Sequence, residues 1–397
     1  MDATCFRQTK ILGDTLPVFE LVSEPLKNRL NQDLNKKWGR KLHFTGYHGP
    51  QPVSIARKNL SQLSKFPYLV SEKLDGLRFM LYCTKFESKP MTMLIDRSFR
   101  VFILGMKVPP QFFSGTILDM EIVNNTQVYA FDLIEYSGKS YRHEFLDTRL
   151  QILQECMQKL QSMESHPTLK FQGKPFWKMD EFEMLVNRRG HTGTKEDGYI
   201  FTPIRKPVET GTQYSLYKWK DQLKNTVDFE IVSTTHPSIF QLAIEENPQR
   251  LKWIQKIFMD NFEVQDFVHK VPIYPHNNSG NGFDEIVPVD DPAHDKPPRV
   301  IVECKYSLET KQWIPIVHRS DKTRPNTLRT MEKTMENIRE NIQLDEIIGR
   351  VINNTINNNN NNNKNKNNDE YSPFDKVSSE ELAQENTFFN YQEPEYA

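Results

Sequence analysis

Between Tyr68 and Tyr136 the apolar positions fall in short runs, "YLVSEK", "RFMLYC", "MTMLID", "RVFILG", "TILDMEIV" and "VYAFDLIEY". Turn-forming pairs such as "DG", "SG" and "NN" part several of them. Short runs rich in β-branched and aromatic residues, bounded in this way, predict successive strands. The period changes over residues 144–163, where Phe145, Leu146, Leu150, Leu153, Met157 and Leu160 recur at helical spacing. Strand patterning returns in "GYIFTPI" and "YSLYKWK". Residues 1–225 are therefore expected to form an α+β domain dominated by antiparallel sheet.

From "TVDFEIVST" onward a second β-rich stretch includes "RVIVECKYS" and "QWIPIVHRS", with the loop-rich "YPHNNSGNGFDEIVPVDDPAHDKPPR" between its parts. That size and strand content suit a small OB-fold barrel over residues 226–350. Leu328, Met331, Met335, Ile338 and Ile342 mark one apolar stripe, predicting a helix over 327–348. The run "NNTINNNNNNNKNKNN" and the acidic segment after it cannot bury enough apolar surface to offset the entropy of ordering. Residues 351–397 are expected to be disordered, with aromatics such as Phe388 and Phe389 offering a short partner-binding element as the alternative.

Composition changes this picture little. The 397 residues carry a net charge of −1, but residues 369–397 hold eight acidic residues and one lysine, so the tail is −7 and the remainder +6. A mildly basic body suits phosphate-bearing substrates and many other partners. No apolar run approaches the roughly 18 residues of a membrane span, and the N-terminus has no basic region followed by an apolar core, so neither membrane insertion nor secretion is expected. Cys5, Cys83, Cys156 and Cys304 lack zinc or disulfide spacing. They are expected to be buried thiols in a reducing compartment.

The candidate chemistry begins at "KLDGLR", residues 73–78. One reading of the Asp-Gly pair is a hairpin turn with a solvated lysine before it. The other makes Lys73 a nucleophile, which requires a neutral amine. An ordinary lysine, with a pKa of about 10.4, is neutral only when burial and neighbouring cations disfavour its charge. Lys218 and Lys220 alternate about Trp219 and would share one side of a strand, facing either that pocket or solvent. Asp119 and Glu121 share a strand face opposite Leu118, Met120 and Ile122, and Glu196 and Asp197 precede a second Asp-Gly turn. Either acid pair alone could be a solvated sheet face. Together with the lysines they suit a site for phosphate and Mg²⁺.

In order, "KLDGLR", "ILDMEIV", "YAFDLI", "EDGYIF" and "LYKWK" resemble the motifs of the covalent nucleotidyltransferases, the superfamily of mRNA capping guanylyltransferases and polynucleotide ligases. "HGPQPVSIARKNLSQL" at 48–63 and "WIPIVHRSDKTRPNTLRTMEKTMENIRENI" at 313–342 are similar to segments of the capping enzymes, and the resemblance runs from about Gln51 to Arg350. It implies a nucleotidyltransferase domain followed by an OB-fold, and GTP as substrate. Lys73 would attack the α-phosphate to give a lysyl-GMP intermediate, and GMP would pass to the 5′-diphosphate end of RNA.

The resemblance also implies roles for other residues. Lys218 and Lys220 would bind the α-phosphate, Glu121 and Arg78 would hold the ribose or orient Lys73 with Arg97 nearby, and Phe131 and Lys174 would contact the guanine. For Phe131 the alternative is ordinary strand core, and for Lys174 a solvated loop. Asp197, with Glu121, would hold Mg²⁺ or Mn²⁺. Arg319, Asp321 and Lys322 would reach the β- and γ-phosphates, or else form a charged turn capped by Asn326 or Thr327. A separate RNA 5′-triphosphatase and cap methyltransferase would supply the flanking steps, and the RNA polymerase II C-terminal tail is a further candidate partner. The implied location is the nucleus, with a viral origin as the alternative. Two other readings stay open, an ATP-dependent ligase carrying AMP on Lys73 and a catalytically silent binding subunit.

Overall fold

The computed structural model describes residues 3–41, 44, 46–188, 196–234, 236, 239–247, 250–258, 300–319 and 322–350. The expected loop-rich middle, the Asn-rich acidic tail and Asp321 lie outside these residues. The chain divides into two compact units, one running to Trp219 and rejoined at Leu344, the other Lys220–Gln343.

The first unit contains two sheets. The larger runs in the order Phe6–Ile11, Leu16–Leu21, Val101–Ile103, Lys89–Asp96, Leu77–Phe86, Thr116–Val123, Gln127–Tyr136 and Lys139–Ser140, with Lys170–Gly173 joined parallel to Gln127–Tyr136. It is covered on both faces. Phe79, Leu81, Leu118 and Met120 pack with Leu153, Met157 and Leu160 of the helix Leu146–Ser162. Met80, Tyr82, Ile95 and Ile117 pack with Leu30, Leu34 and Trp38. Double burial is why these strands read as continuous apolar runs. The helix Glu24–Lys37, which supplies the second cover, begins with a proline in its first turn and buries Leu30 and Leu34 four residues apart.

The smaller sheet runs in the order Trp177–Lys178, Tyr68–Leu74, Glu196–Pro203, Gly211–Trp219 and Pro50–Ser54, the last pairing being parallel. Strands Tyr68–Leu74 and Leu77–Phe86 belong to different sheets, so Asp75–Gly76 is a crossover and not the hairpin turn its sequence allows. Gly76 is required there by close approach. A Cβ would lie 2.6 Å from the Ile122 carbonyl oxygen and 2.8 Å from Glu121 Cγ.

The second unit is an antiparallel sheet in the order Arg250–Phe258, Ile239–Asn247, Thr226–Ser233, Ile301–Ser307 and Gln312–His318. Its two outermost strands meet through one side chain. Gln255 Nε2 donates to the Trp313 carbonyl at 3.1 Å, and the Trp313 N–H donates to Gln255 Oε1 at 2.8 Å. An amide thus does, for one residue, what a strand ladder does in a fully paired barrel. The helix Leu328–Glu340, capped by Thr327, packs Leu328, Met331, Met335 and Ile338 onto the core. It is shorter than the 327–348 its stripe predicts. Asn341 takes a left-handed conformation (φ 43°), which Asn tolerates better than most residues, and a separate helical segment follows at 344–350.

Cys83, Cys156 and Cys304 are buried as expected, whereas Cys5 is partly exposed. Burial pushes the Cys83 and Cys156 thiols up to about 12 and raises Cys304 as well.

Candidate functional site

Two β-bulges aim the central side chains. Along the pairing of Glu196–Pro203 with Tyr68–Leu74 the register slips between Glu196 and Tyr199, which sets Asp197 and Gly198 opposite Lys73. Gly198 accommodates the kink at φ +125°. The second Asp-Gly pair is therefore a bulge inside a strand, where its sequence predicts a turn. Lys73 Nζ donates to Asp197 Oδ2 at 2.5 Å, both groups remaining partly open to solvent. The nearest charged group to the candidate nucleophile is thus a carboxylate, where the sequence reading expects cations. Ile200 lies opposite both Ser71 and Lys218, so Lys73 and Lys218 share one face, two strands apart and offset by two residues. Lys220 does not continue the alternation, because the strand ends at Trp219.

The second bulge lies between Thr116–Val123 and Gln127–Tyr136. Asp119 pairs with Asp132 and Met120 with Ala130, which leaves Phe131 as the extra residue. Freed from the ladder, Phe131 is partly exposed between buried neighbours in its strand. The Arg78 guanidinium lies 5.3 Å and the Lys174 amine 5.5 Å from its ring centre. Such a ring, bracketed by donors, suits stacking against a planar base.

Arg78 stands opposite Glu121 and forks onto Asp119 in the same face, Nε to Oδ1 at 2.8 Å and Nη2 to Oδ2 at 2.5 Å. Burial opposes the guanidinium charge, but Asp119, Tyr47 and Glu121 outweigh it and hold Arg78 protonated. Tyr47 completes this buried group. Its ring centre lies 5.2 Å from the Arg78 guanidinium and its hydroxyl is 3.5 Å from Asp119 Oδ1. Asp96 caps the turn that presents Arg97, accepting from the Ser98 and Arg100 amides. Partial desolvation and Arg78 push the Arg97 guanidinium down, while Tyr47, Glu121 and Asp119 pull it back.

Lys174 is nearly buried. Burial pushes its amine down to about 8; Lys73 and Arg78 add to this, and Glu121 and Glu72 oppose it. A solvated loop lysine is thereby ruled out. Between pH 8 and the ordinary 10.5 the unfolded chain holds a proton at this site that the folded chain has lost, so stability rises with pH across that window. The penalty is fully present below pH 8. Relative to Lys174→Met, the wild type should gain about 2 kcal/mol from pH 7 to pH 9.5, read as converging urea midpoints. A constant gap would mean an unperturbed amine.

In the second unit Arg319 and Lys322 both turn onto the buried Asp228. Arg319 Nη1 is 3.3 Å from Asp228 Oδ1 and from Glu303 Oε2, and Lys322 Nζ bonds Asp228 Oδ2. Asn326 fastens the segment by exchanging hydrogen bonds with the Asp228 backbone at 2.8 and 2.9 Å.

Residues 7–222 match the family mRNA capping enzyme, catalytic domain. This chain belongs to the mRNA capping enzyme family. Residues 224–348 match the mRNA capping enzyme, C-terminal domain, so the antiparallel sheet of the second unit is the capping-enzyme OB domain. The chain is 30% identical to the mRNA-capping enzyme subunit alpha of Schizosaccharomyces pombe over 224 residues, 46% of this chain and 52% of that protein. It is 27% identical to the Neurospora crassa subunit alpha over 336 residues, 72% of this chain and 79% of the relative. A solved structure of mycobacterial DNA ligase D complexed with ATP and MES aligns at 16% identity and a TM-score of 0.37, over 70% of this chain and 96% of that one. That likeness is too loose to inform nucleotide choice.

Within the capping-enzyme fold, Lys73, Arg78, Arg97, Glu121, Phe131, Lys174, Asp197 and Lys218 all lie in the first unit. Lys220, Arg319 and Lys322 belong to the second. Sequence reasoning gave no role to Tyr47, which no motif marks. It grouped Asp119 with the acids of a phosphate and Mg²⁺ site, whereas the structure turns Asp119 onto Arg78, and it passed over Asp228. An aspartate in a strand written "VDFEIV", flanked by residues that need burial, is the signal that could have pointed to Asp228.

Proposed function

We propose that this chain is an mRNA guanylyltransferase, taking GMP from GTP onto Lys73 and passing it to the 5′-diphosphate end of RNA. The observation that carries the reading is the Lys73–Asp197 pair on a sheet face shared with Lys218, beside a bulged aromatic that suits a base. With GTP placed so, the Lys73 ammonium gives a proton to Asp197, its nearest acceptor, and the amine lone pair forms a bond to the α-phosphorus. The bond to the bridging oxygen breaks and pyrophosphate departs. In the second step a terminal oxygen of the RNA diphosphate bonds to the same phosphorus, the N–P bond breaks, and Lys73 recovers its proton. Lys218 neutralises charge building on the α-phosphate oxygens. Lys220 is proposed to act with Lys218 on the α-phosphate, and Arg319, Asp321 and Lys322 of the OB domain to reach the β- and γ-phosphates.

Among the described residues no three acidic, histidine or cysteine side chains converge as a metal cage. Asp197 and Glu121 carry the oxygen donors that Mg²⁺ prefers, and are proposed to hold a divalent ion whose shell phosphate and water would complete. Bound there, Mg²⁺ or Mn²⁺ would offset phosphate charge. RNA 5′-diphosphate ends require a separate triphosphatase, and cap maturation a methyltransferase. The relatives are eukaryotic proteins, which supports nuclear action beside RNA polymerase II and its C-terminal tail.

The test is incubation of the purified chain with Mg²⁺ and either GTP or ATP labelled at the α-phosphate. Label from GTP should survive denaturing electrophoresis and be discharged by pyrophosphate. Equal or preferential retention from ATP would replace this reading with that of a ligase, and no retention from either would leave a non-catalytic chain.

A further inference from the structure

Several cations of the first unit hold a carboxylate: Arg78 has Asp119, Arg149 has Asp132 and Lys37 has Glu135. The exposed Arg40 and the partly buried Arg142 are arranged differently. Arg142 Nη2 comes so near Gly39 that a Cβ there would stand 2.8 Å from it, and Gly39 immediately precedes Arg40. The Arg40 guanidinium lies 4.6 Å from the Phe44 ring centre, and its Nη2 reaches the Thr210 carbonyl at a long 3.4 Å. Arg142 Nη2 donates to His143 Nε2 at 2.9 Å, while its Nε is buried without a hydrogen-bond partner. Among the described residues neither guanidinium has a carboxylate partner.

The like charges act on their surroundings. Desolvation and Arg40 push the Arg142 guanidinium down. Burial and Arg40 hold His48 at about 4, so its neutral ring donates from Nε2 to Asn35 Oδ1 at 2.7 Å. A cluster that retains mutual repulsion and an unused buried donor is set to receive an anion, and arginine forks match phosphate oxygens. The cluster also adjoins the reaction site through one short segment. Gly49, next to His48, would place a Cβ 2.9 Å from Arg78 Nη2, and Pro50 pairs with Gly211, the residue after Thr210.

We propose that Arg40, Arg142 and His143 form a phosphate subsite that grips the RNA backbone downstream of its 5′ end during the second transfer. The proposal rests on the guanylyltransferase reading. Continuity with the reaction site favours RNA over other phosphate carriers, since the acceptor must have one end there.

The test uses the full chain as Arg40→Gln/Arg142→Gln, and separately as His143→Asp, which alters an exposed ring without touching the core. Transfer from the preformed adduct is measured to a 5′-diphosphate RNA of about twenty nucleotides and to a 5′-diphosphate dinucleotide. The long RNA should need on the order of tenfold higher concentration, and its log–log salt slope should shrink by about 0.7 for each RNA phosphate that is no longer neutralised. The dinucleotide and adduct formation should be unaffected. An unchanged RNA requirement and salt slope would overturn the subsite. So would variants that no longer form the adduct, since the cluster would then be structural. So would a phosphoserine peptide that binds the cluster without competing with RNA. Should the wild type itself form no adduct, the catalytic reading fails instead, and RNA anisotropy binding still reads the cluster directly.

Discussion

Lys73→Arg should abolish the labelled guanylate adduct, by at least about three orders of magnitude, while leaving the fold intact. Arginine preserves the charge facing Asp197, 2.5 Å from the native amine, but its guanidinium cannot be deprotonated and offers no lone pair to phosphorus. Loss of the adduct with an unchanged melting temperature would therefore isolate the nucleophile from the ion pair. A second amine makes the assignment demanding. Lys174, pushed down to about 8 by burial, sheds its proton far more readily than an ordinary lysine. Its place over the Phe131 ring fits a role at the base and not at the phosphates. Peptide mapping should find GMP on Lys73 alone, and Lys174→Met should still form the adduct, with weaker GTP binding. Guanylate on Lys174 would reverse the two roles.

The second large effect is on stability. Asp119→Ala leaves the Arg78 guanidinium enclosed by protein with its bidentate acceptor removed. Removing one member of a buried pair costs about 3–5 kcal/mol. Double replacement, Asp119→Leu with Arg78→Met, should recover much of the loss, because no unpaired charge remains. Urea titrations of Asp119→Leu, Arg78→Met and the double variant give the coupling directly. Additive losses would show that the pair is not the unit the geometry makes it. Adduct formation should stay poor in the double variant even when stability returns, since neither Arg78 nor its alignment against Phe131 survives.

The strands from Leu77 to Tyr136 were legible because their sheet is buried on both faces, so each appears as a short apolar run. Asp119 and Glu121 stood out as charges inside such a run. Local patterning could not say which strands are partners. The pair Asp75–Gly76 reads as a hairpin, yet it carries the chain between sheets, and Gly76 answers to the nearness of Ile122, a residue 46 positions away in sequence. The two bulges were equally hidden, since one unpaired residue leaves no mark on composition. They nevertheless decide that Asp197 meets Lys73 and that Phe131 leaves the core. In the OB domain the apolar stripe correctly predicts a helix, but it continues past Asn341, where the backbone turns left-handed and the helix stops. Arg319 and Lys322 were legible as a charged turn, whereas the buried Asp228 that organises them required tertiary structure.

The enclosed thiols make the native chain a natural reporter of its own unfolding. A maleimide added to folded protein finds Cys5 far more open than the rest, since Cys83, Cys156 and Cys304 have essentially no surface and little tendency to form thiolate. Cys83 and Cys156 lie in the catalytic unit and Cys304 in the OB unit. The order in which alkylated peptides appear during denaturation therefore reveals which half of the enzyme opens first, with no engineered label.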